Sequence, residues 1–206
     1  LLEYTLPRFG IDTTFVDLRN TSEVKKNIKK NTKLIFGETL GNPGLDVMNI
    51  PKISKLAHDH NIPLLVDSTF TTPYLMKPFS LGADLIFHSA TKFLSGHGVV
   101  IGGLLVDSGQ FDWTTSSKFK VLTEPYEGFH GMNFVNEFGP AAYINRARKE
   151  GARDFGACMS PHTAFLVLQG METLNLRMER HIKNTRDIVN FLNAHKSVKS
   201  VCYPEL

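Results

Sequence analysis

The chain has 206 residues, 42% of them hydrophobic and 21% charged, with a formal net charge of +3. That length carries a domain-sized core, and that composition excludes a disordered chain. So small a positive excess excludes a dedicated nucleic-acid binder, and the one basic cluster, Lys25, Lys26, Lys29 and Lys30, reads as the solvated face of a helix.

In chain order, Thr14 to Asp17 is a short β-rich run and Thr21 to Lys30 a polar helix. Lys33 to Glu38 reads as a strand ending in the turn Gly41-Asn42-Pro43-Gly44. Ile50, Ile53, Leu56 and Ala57 fall at helical spacing, so Ile50 to His60 reads as an amphipathic helix, broken by Asn61-Ile62-Pro63. Leu64 to Asp67 is an apolar strand that ends on a carboxylate. Pro78 to Leu81 is a short helical turn before a strand from Asp84 to His88. The strand Gly102 to Asp107 follows too closely for a helical crossover and is expected to run antiparallel to its predecessor.

Asp112 to Gly139 is aromatic-rich without a period and reads as a long ordered loop. Pro161 suits a helix start, Gly170 marks a break, and Thr173 to His195 reads as a long second helix. Leu174, Met178, Ile182 and Ile188 are expected to form an exposed apolar face on it. Strands alternating with helices argue for an α/β domain with a mostly parallel sheet. In such sheets, sites gather at the carboxyl ends of the strands.

Asp67 and Lys92 both lie at or just past such ends. A lone lysine there is usually a surface charge. An aspartate closing a core strand needs a partner, because a buried unpaired carboxylate costs several kcal/mol; otherwise it bonds its own loop. Brought together, the acid and the amine are what a pyridoxal phosphate (PLP) enzyme requires. The amine forms the Schiff base and the acid holds the pyridine nitrogen protonated. Ser89 and Thr91, at alternate positions, are expected on one face of the strand end with hydroxyls toward the phosphate. No Walker loop is present.

His58-Asp59-His60 does not form a metal site, since side chains two apart on a helix diverge. His88 reads as a packed strand residue and His97 as part of a glycine turn. Cys158 and Cys202 form no motif and suit a cytoplasmic protein with incidental thiols. The apolar runs are too short to span a bilayer, and the N-terminal residues lack a signal-peptide pattern. The chain starts without a methionine and stops where a new strand is expected to begin, so both ends read as cut.

The motifs Glu38-Thr39-Leu40-Gly41-Asn42-Pro43, Asp67-Ser68-Thr69, His88-Ser89-Ala90-Thr91-Lys92, Gly96-His97-Gly98, Leu168-Gln169-Gly170-Met171-Glu172-Thr173 and Arg177-Met178-Glu179-Arg180-His181 keep their order over nearly the whole chain. Together they resemble the Cys/Met-metabolism family of PLP enzymes. The resemblance implies the large domain of a fold type I, aspartate-aminotransferase-like enzyme, with residues 1–158 in the PLP-binding domain and 159–206 leading into a second domain. It implies Lys92, Asp67, Ser89, Thr91 and Asn42 as cofactor-binding residues and Lys92 as the catalytic one. Asn42 would approach the cofactor's phenolic oxygen and the substrate carboxylate.

The Gly41-Asn42-Pro43-Gly44-Leu45-Asp46-Val47 and Gly96-His97-Gly98 forms fit the branch that converts O-acetylhomoserine and sulfide to homocysteine and acetate. A γ-lyase or cystathionine-forming enzyme uses the same chemistry, and a non-catalytic α/β fragment is the reading from another class. The resemblance also implies a homo-oligomer, in the family a tetramer. It places the main phosphate-binding turn before Leu1 and the carboxylate-binding arginine after Leu206. Ser68 stands where the family carries asparagine, so altered packing is expected there.

Overall fold

The computed structural model describes all residues, Leu1–Leu206. Thr21–Asn27 forms α1, capped by the Asn20 side chain, which accepts from the Glu23 amide at 3.2 Å. Strand β1 is Ile35–Glu38, helix α2 Ile50–His58 and strand β2 Leu64–Asp67. A short helix α3, Thr72–Leu75, and a 3-10 turn, Pro78–Leu81, lead to β3, Leu85–Ser89, and then β4, Gly103–Asp107. The sheet order is β1-β2-β3-β4, with the first three strands parallel and β4 antiparallel to β3, as the short connection requires.

The β2 alternation explains the layering. Leu64 and Val66 join Ile50, Ile53, Ala57 and Ile62 in one buried cluster under α1 and α2, while Leu65 packs on the opposite face. Asp84 is buried and takes the Leu64 amide at 2.7 Å and His58 Nε2 at 2.9 Å. His58 is thus a stitch between α2 and the start of β3, while His60 Nδ1 faces the Leu56 carbonyl at 2.9 Å.

Four expectations are corrected. Thr14 to Asp17 pairs with no strand; Val16 and neighbouring Leu18 pack on the first cluster as irregular chain. Residues 112–139 are not a loop. They hold 3-10 turns and two short helices, α4 (Lys120–Thr123) and α5 (Phe134–Phe138), followed by α6 (Ala142–Arg146) and a wide π turn, Ala147–Asp154. Trp113, Phe119, Leu122 and Phe134 are buried with Leu85 on the second sheet face, and Trp113 stacks on Tyr143 at 5.0 Å. The organising force there is aromatic burial, which needs no helical period. The Arg146 guanidinium lies 4.0 Å over the Tyr126 ring and pairs with Glu150 at 2.7 Å.

The third correction concerns the C-terminal helices, α7 (Pro161–Glu172) and α8 (Leu174–Ala194). Leu174 and Met178 are not exposed; they are buried against Ala90, Leu94 and Val167. Ile188 is exposed as expected, together with Leu176 and Phe191, and Ile182 is half-buried. No helix is long and apolar enough to cross a membrane.

The helix break falls at Thr173, not at Gly170, which is an interior helix residue. A Cβ at Gly170 would stand 2.1 Å from the Ser95 carbonyl oxygen, so the glycine lets α7 touch the backbone beyond Lys92. Gly170→Ala gains about 1 kcal/mol of helix propensity. Overpacking costs roughly 1–3 kcal/mol, and a clash with backbone belongs at the upper end. We expect a net loss of about 2 kcal/mol in thermal or denaturant unfolding. A variant as stable as the parent would contradict this close approach.

Candidate active site

Asp67 closes β2 beside Phe87 of β3, and the loops beyond both strands are tied together. Asp67 Oδ1 accepts the Thr69 amide at 2.8 Å, and Thr69 Oγ1 accepts the Ser89 amide at 2.7 Å. His88, buried in β3, faces the Ser68 carbonyl through Nδ1 at 3.1 Å, which requires the tautomer protonated there. Burial holds its imidazole pKa below the ordinary 6.5, against the opposing pull of the Ser68 bond and the Asp67 charge. His88 is therefore the packed, neutral strand residue that its position suggested. Ser68 is fully buried, and its hydroxyl meets Thr71 Oγ1 at 2.9 Å, which meets Thr39 Oγ1 at 3.0 Å. That chain of hydroxyls is how a serine fits at this position.

Past β3, the chain turns through Ala90–Leu94 and leaves helical geometry at Lys92 (φ −92°, ψ −118°). Ser89 is the last strand residue and Thr91 lies inside the turn, so strand alternation does not relate them. Both still line one cavity of about 640 Å³, together with Asn42, Asp67 and Lys92. All five residues expected from the sequence thus meet in one place. Their availability differs. Thr91 Oγ1 is committed to Gly102, accepting its amide at 3.0 Å and donating to its carbonyl at 3.3 Å. The Ser89 amide serves Thr69, which leaves the Ser89 hydroxyl for the cavity.

Asp67 and Lys92 face this cavity from neighbouring strand ends and are not ion-paired. Asn42 enters from the β1 side, in a turn with a cis Asn42–Pro43 peptide, where its amide donates to Glu38 Oε2 at 3.0 Å. Gly96 and Gly98 take left-handed conformations (φ +71° and +66°) that glycine adopts freely. Between them, His97 Nδ1 bonds the Ser95 carbonyl at 2.6 Å, the structural role expected of this turn.

Several lining residues were not anticipated. Glu38 and Thr69 were read as members of the family motifs with no role of their own in the site. Phe70 and Phe93 meet edge to face at 6.0 Å, and Arg177 and His181 reach the cavity from α8. Glu38 had a signal, since it closes a strand next to the Asn-Pro turn. Arg177 and His181 had none beyond their motif, because only the tertiary fold brings α8 to the lysine turn.

The family model for Cys/Met metabolism PLP-dependent enzymes matches residues 1–206. The chain is 44% identical over 214 residues to the O-acetyl-L-homoserine sulfhydrylase of Leptospira meyeri, covering 100% of this chain and 48% of that protein. It is 45% identical over 208 residues to the homocysteine synthase of Schizosaccharomyces pombe, again covering 100% and 48%. The chain thus spans about half the length of the curated relatives it matches. A crystal structure of a protein designated O-acetylhomoserine (thiol)-lyase from Campylobacter jejuni, which holds a pyridoxyl-lysine phosphate, superposes with a TM-score of 0.94 at 37% identity, over 99% of this chain and 50% of that one. The α/β architecture is accordingly that of the fold type I PLP enzymes. Sheet topology, cavity and match over the whole length agree: the chain belongs to the Cys/Met metabolism PLP-dependent enzyme family.

Proposed function

We propose that this chain serves a PLP-dependent γ-replacement that converts O-acetylhomoserine and sulfide to homocysteine and acetate. One observation carries the reading: Asp67 and Lys92 stand at adjacent parallel strand ends, face one cavity and leave each other unpaired. The two line one cavity without an ion pair between them, which leaves both groups available to a ring bound there. The residues fit the cofactor. Asp67 keeps Oδ2 free after Oδ1 takes the Thr69 amide, the Ser89 hydroxyl is uncommitted, and about 640 Å³ accommodates a pyridine ring with a phosphate arm.

Lys92 would hold the cofactor and Asp67 would keep the proton on its ring nitrogen. Ser89 would meet the phosphate, while Thr91 holds the turn through Gly102 in place of donating directly. Asn42 would meet the phenolic oxygen and the substrate carboxylate, its turn anchored by Glu38. When bound, PLP supplies an electron sink for the substrate's α-carbon. Lys92 Nζ would take and return protons at the substrate's α and β carbons. Phe70 and Phe93, in edge-to-face contact, line the same cavity.

We further read residues 1–158 as the cofactor-binding domain and 159–206 as helices leading into a second one. We place the enzyme in the cytoplasm, where the exposed thiols of Cys158 and Cys202 stay reduced. We also propose a homotetramer, in which the strongly exposed Val99 and Ile101 next to the glycine turn meet a neighbouring subunit.

The test feeds the full-length enzyme O-acetylhomoserine with sulfide, with cysteine or with neither. Homocysteine formed with sulfide should dominate. Faster cystathionine formation with cysteine, or faster oxoacid release with no nucleophile, would replace this reading with a synthase or a lyase.

A further inference from the structure

The turn that carries Lys92 is held by α8. Its own backbone ladder is incomplete as a definition, because the turn departs from helical geometry at Lys92 itself. The Ser95 amide bonds the Ala90 carbonyl at 3.1 Å and the Gly96 amide bonds the Lys92 carbonyl at 2.9 Å. The Phe93 carbonyl, one residue past the lysine, is taken by a side chain: Arg177 Nη1 donates to it at 2.8 Å.

The same guanidinium is fixed from two other directions. Nη2 donates to the Gly170 carbonyl at 2.6 Å and Nε to Thr173 Oγ1 at 3.1 Å. Its acceptors thus span the lysine turn, the end of α7 and the α7–α8 junction. The two glycines are the spatial counterpart of this fork. A Cβ on Gly96 would stand 2.5 Å from Arg177 Nη1, and one on Gly170 would stand 2.1 Å from the Ser95 carbonyl oxygen. Both positions are emptied so that the guanidinium and α7 can touch the turn. Neighbours on α8 add to the clamp: the His181 ring meets Phe93 edge-on at 5.6 Å, and Glu179 accepts the Tyr74 hydroxyl from the segment beyond Asp67.

We propose that Arg177 is a positioning residue for Lys92: its three-way fork fixes the Phe93 peptide and so sets where the lysine amine stands in the cavity. The proposal rests on Lys92 carrying the cofactor. A planar guanidinium suits the task because its N–H groups point in fixed directions, which an ammonium cannot reproduce. The competing role is direct capture of an anionic substrate group, since Arg177 also lines the cavity.

The experiment uses the full-length enzyme and the variants Arg177→Lys and Thr173→Val. Amide exchange at Ser95 and Gly96 is measured in the cofactor-free protein, then kcat and KM for O-acetylhomoserine in the loaded one. With Arg177→Lys we expect exchange faster by roughly 10- to 100-fold and kcat lower by a similar factor, with a smaller change in KM. Thr173→Val removes, outside the cavity, the hydroxyl that accepts from Arg177 Nε and donates to the Gly170 carbonyl at 3.4 Å, and should shift both in the same direction by about 3-fold. It carries the test if Arg177→Lys does not fold.

Unchanged exchange at Ser95 and Gly96 overturns the proposal. So does a raised KM at unchanged kcat, which would make Arg177 an anion-binding group. Failure of the cofactor assignment is seen separately: borohydride trapping would then place the cofactor on a lysine other than Lys92.

Discussion

Replacing Lys92 by alanine in the full-length enzyme is expected to remove the lysine-bound chromophore and to lower kcat by about 10⁴-fold or more, a loss typical of removing an essential nucleophile or base. Lys92 is the only primary amine that lines the cavity, so no neighbour can take its place. Stability should hardly change. The side chain is exposed to the cavity and makes no salt bridge, and surface truncations of this kind stay within about 0.5 kcal/mol. The signature is therefore a dead enzyme whose melting temperature, compared with the parent with both proteins free of cofactor, is unmoved. Two measurements decide it: visible absorbance before and after borohydride, and turnover with sulfide. An undiminished rate would end the assignment, whereas lost activity with a collapsed melting temperature of the cofactor-free protein would make Lys92 a structural residue.

The legible part of the fold was the part governed by local pattern. Leu64-Leu65-Val66 and Leu85-Ile86-Phe87 are short apolar runs between turn signals, and both are strands in the sheet centre. The α2 stripe of Ile50, Ile53 and Ala57 is buried as its spacing required. The antiparallel β4 followed from the brevity of its connection. Where tertiary packing outranks local pattern, the sequence was mute. Residues 112–139 fold around Trp113, Phe119 and Phe134, whose separations follow neither a helical nor a strand period.

The site divides in the same way. Asp67 and Lys92 were readable as neighbours because one closes its strand and the other lies in the turn just past the next strand. Ser89 and Thr91 reached the cavity, but by different routes. The π turn, invisible in composition, moved Thr91 off the strand and gave its hydroxyl to Gly102. Gly170 looked like a helix breaker, which is its common meaning; its actual reason, contact with the Ser95 carbonyl, needs the packed structure. Arg177 was a letter in a motif until the fold set it 84 positions back along the chain against Phe93.

On the proposed function, Asp67 has two jobs that substitution can separate. One oxygen, Oδ1, accepts the Thr69 amide at 2.8 Å and shapes the loop; the charge is available to a cationic ring nitrogen in the cavity. Asp67→Asn keeps the shape and an oxygen for Thr69 but loses the charge. We expect cofactor to remain attached and stability to move by less than about 1 kcal/mol, while kcat falls by roughly 10²- to 10⁴-fold, since a neutral amide cannot stabilise the protonated ring through turnover. Asp67→Ala removes both jobs and should add a loss of about 1 kcal/mol in stability for the missing loop bond. The pair therefore yields a diagnostic order: Asn and Ala alike in rate, different in melting temperature. If Asp67→Asn turns over at the parental rate while Asp67→Ala melts early, the aspartate anchors the loop beyond β2 and the cavity holds its ligand by other means.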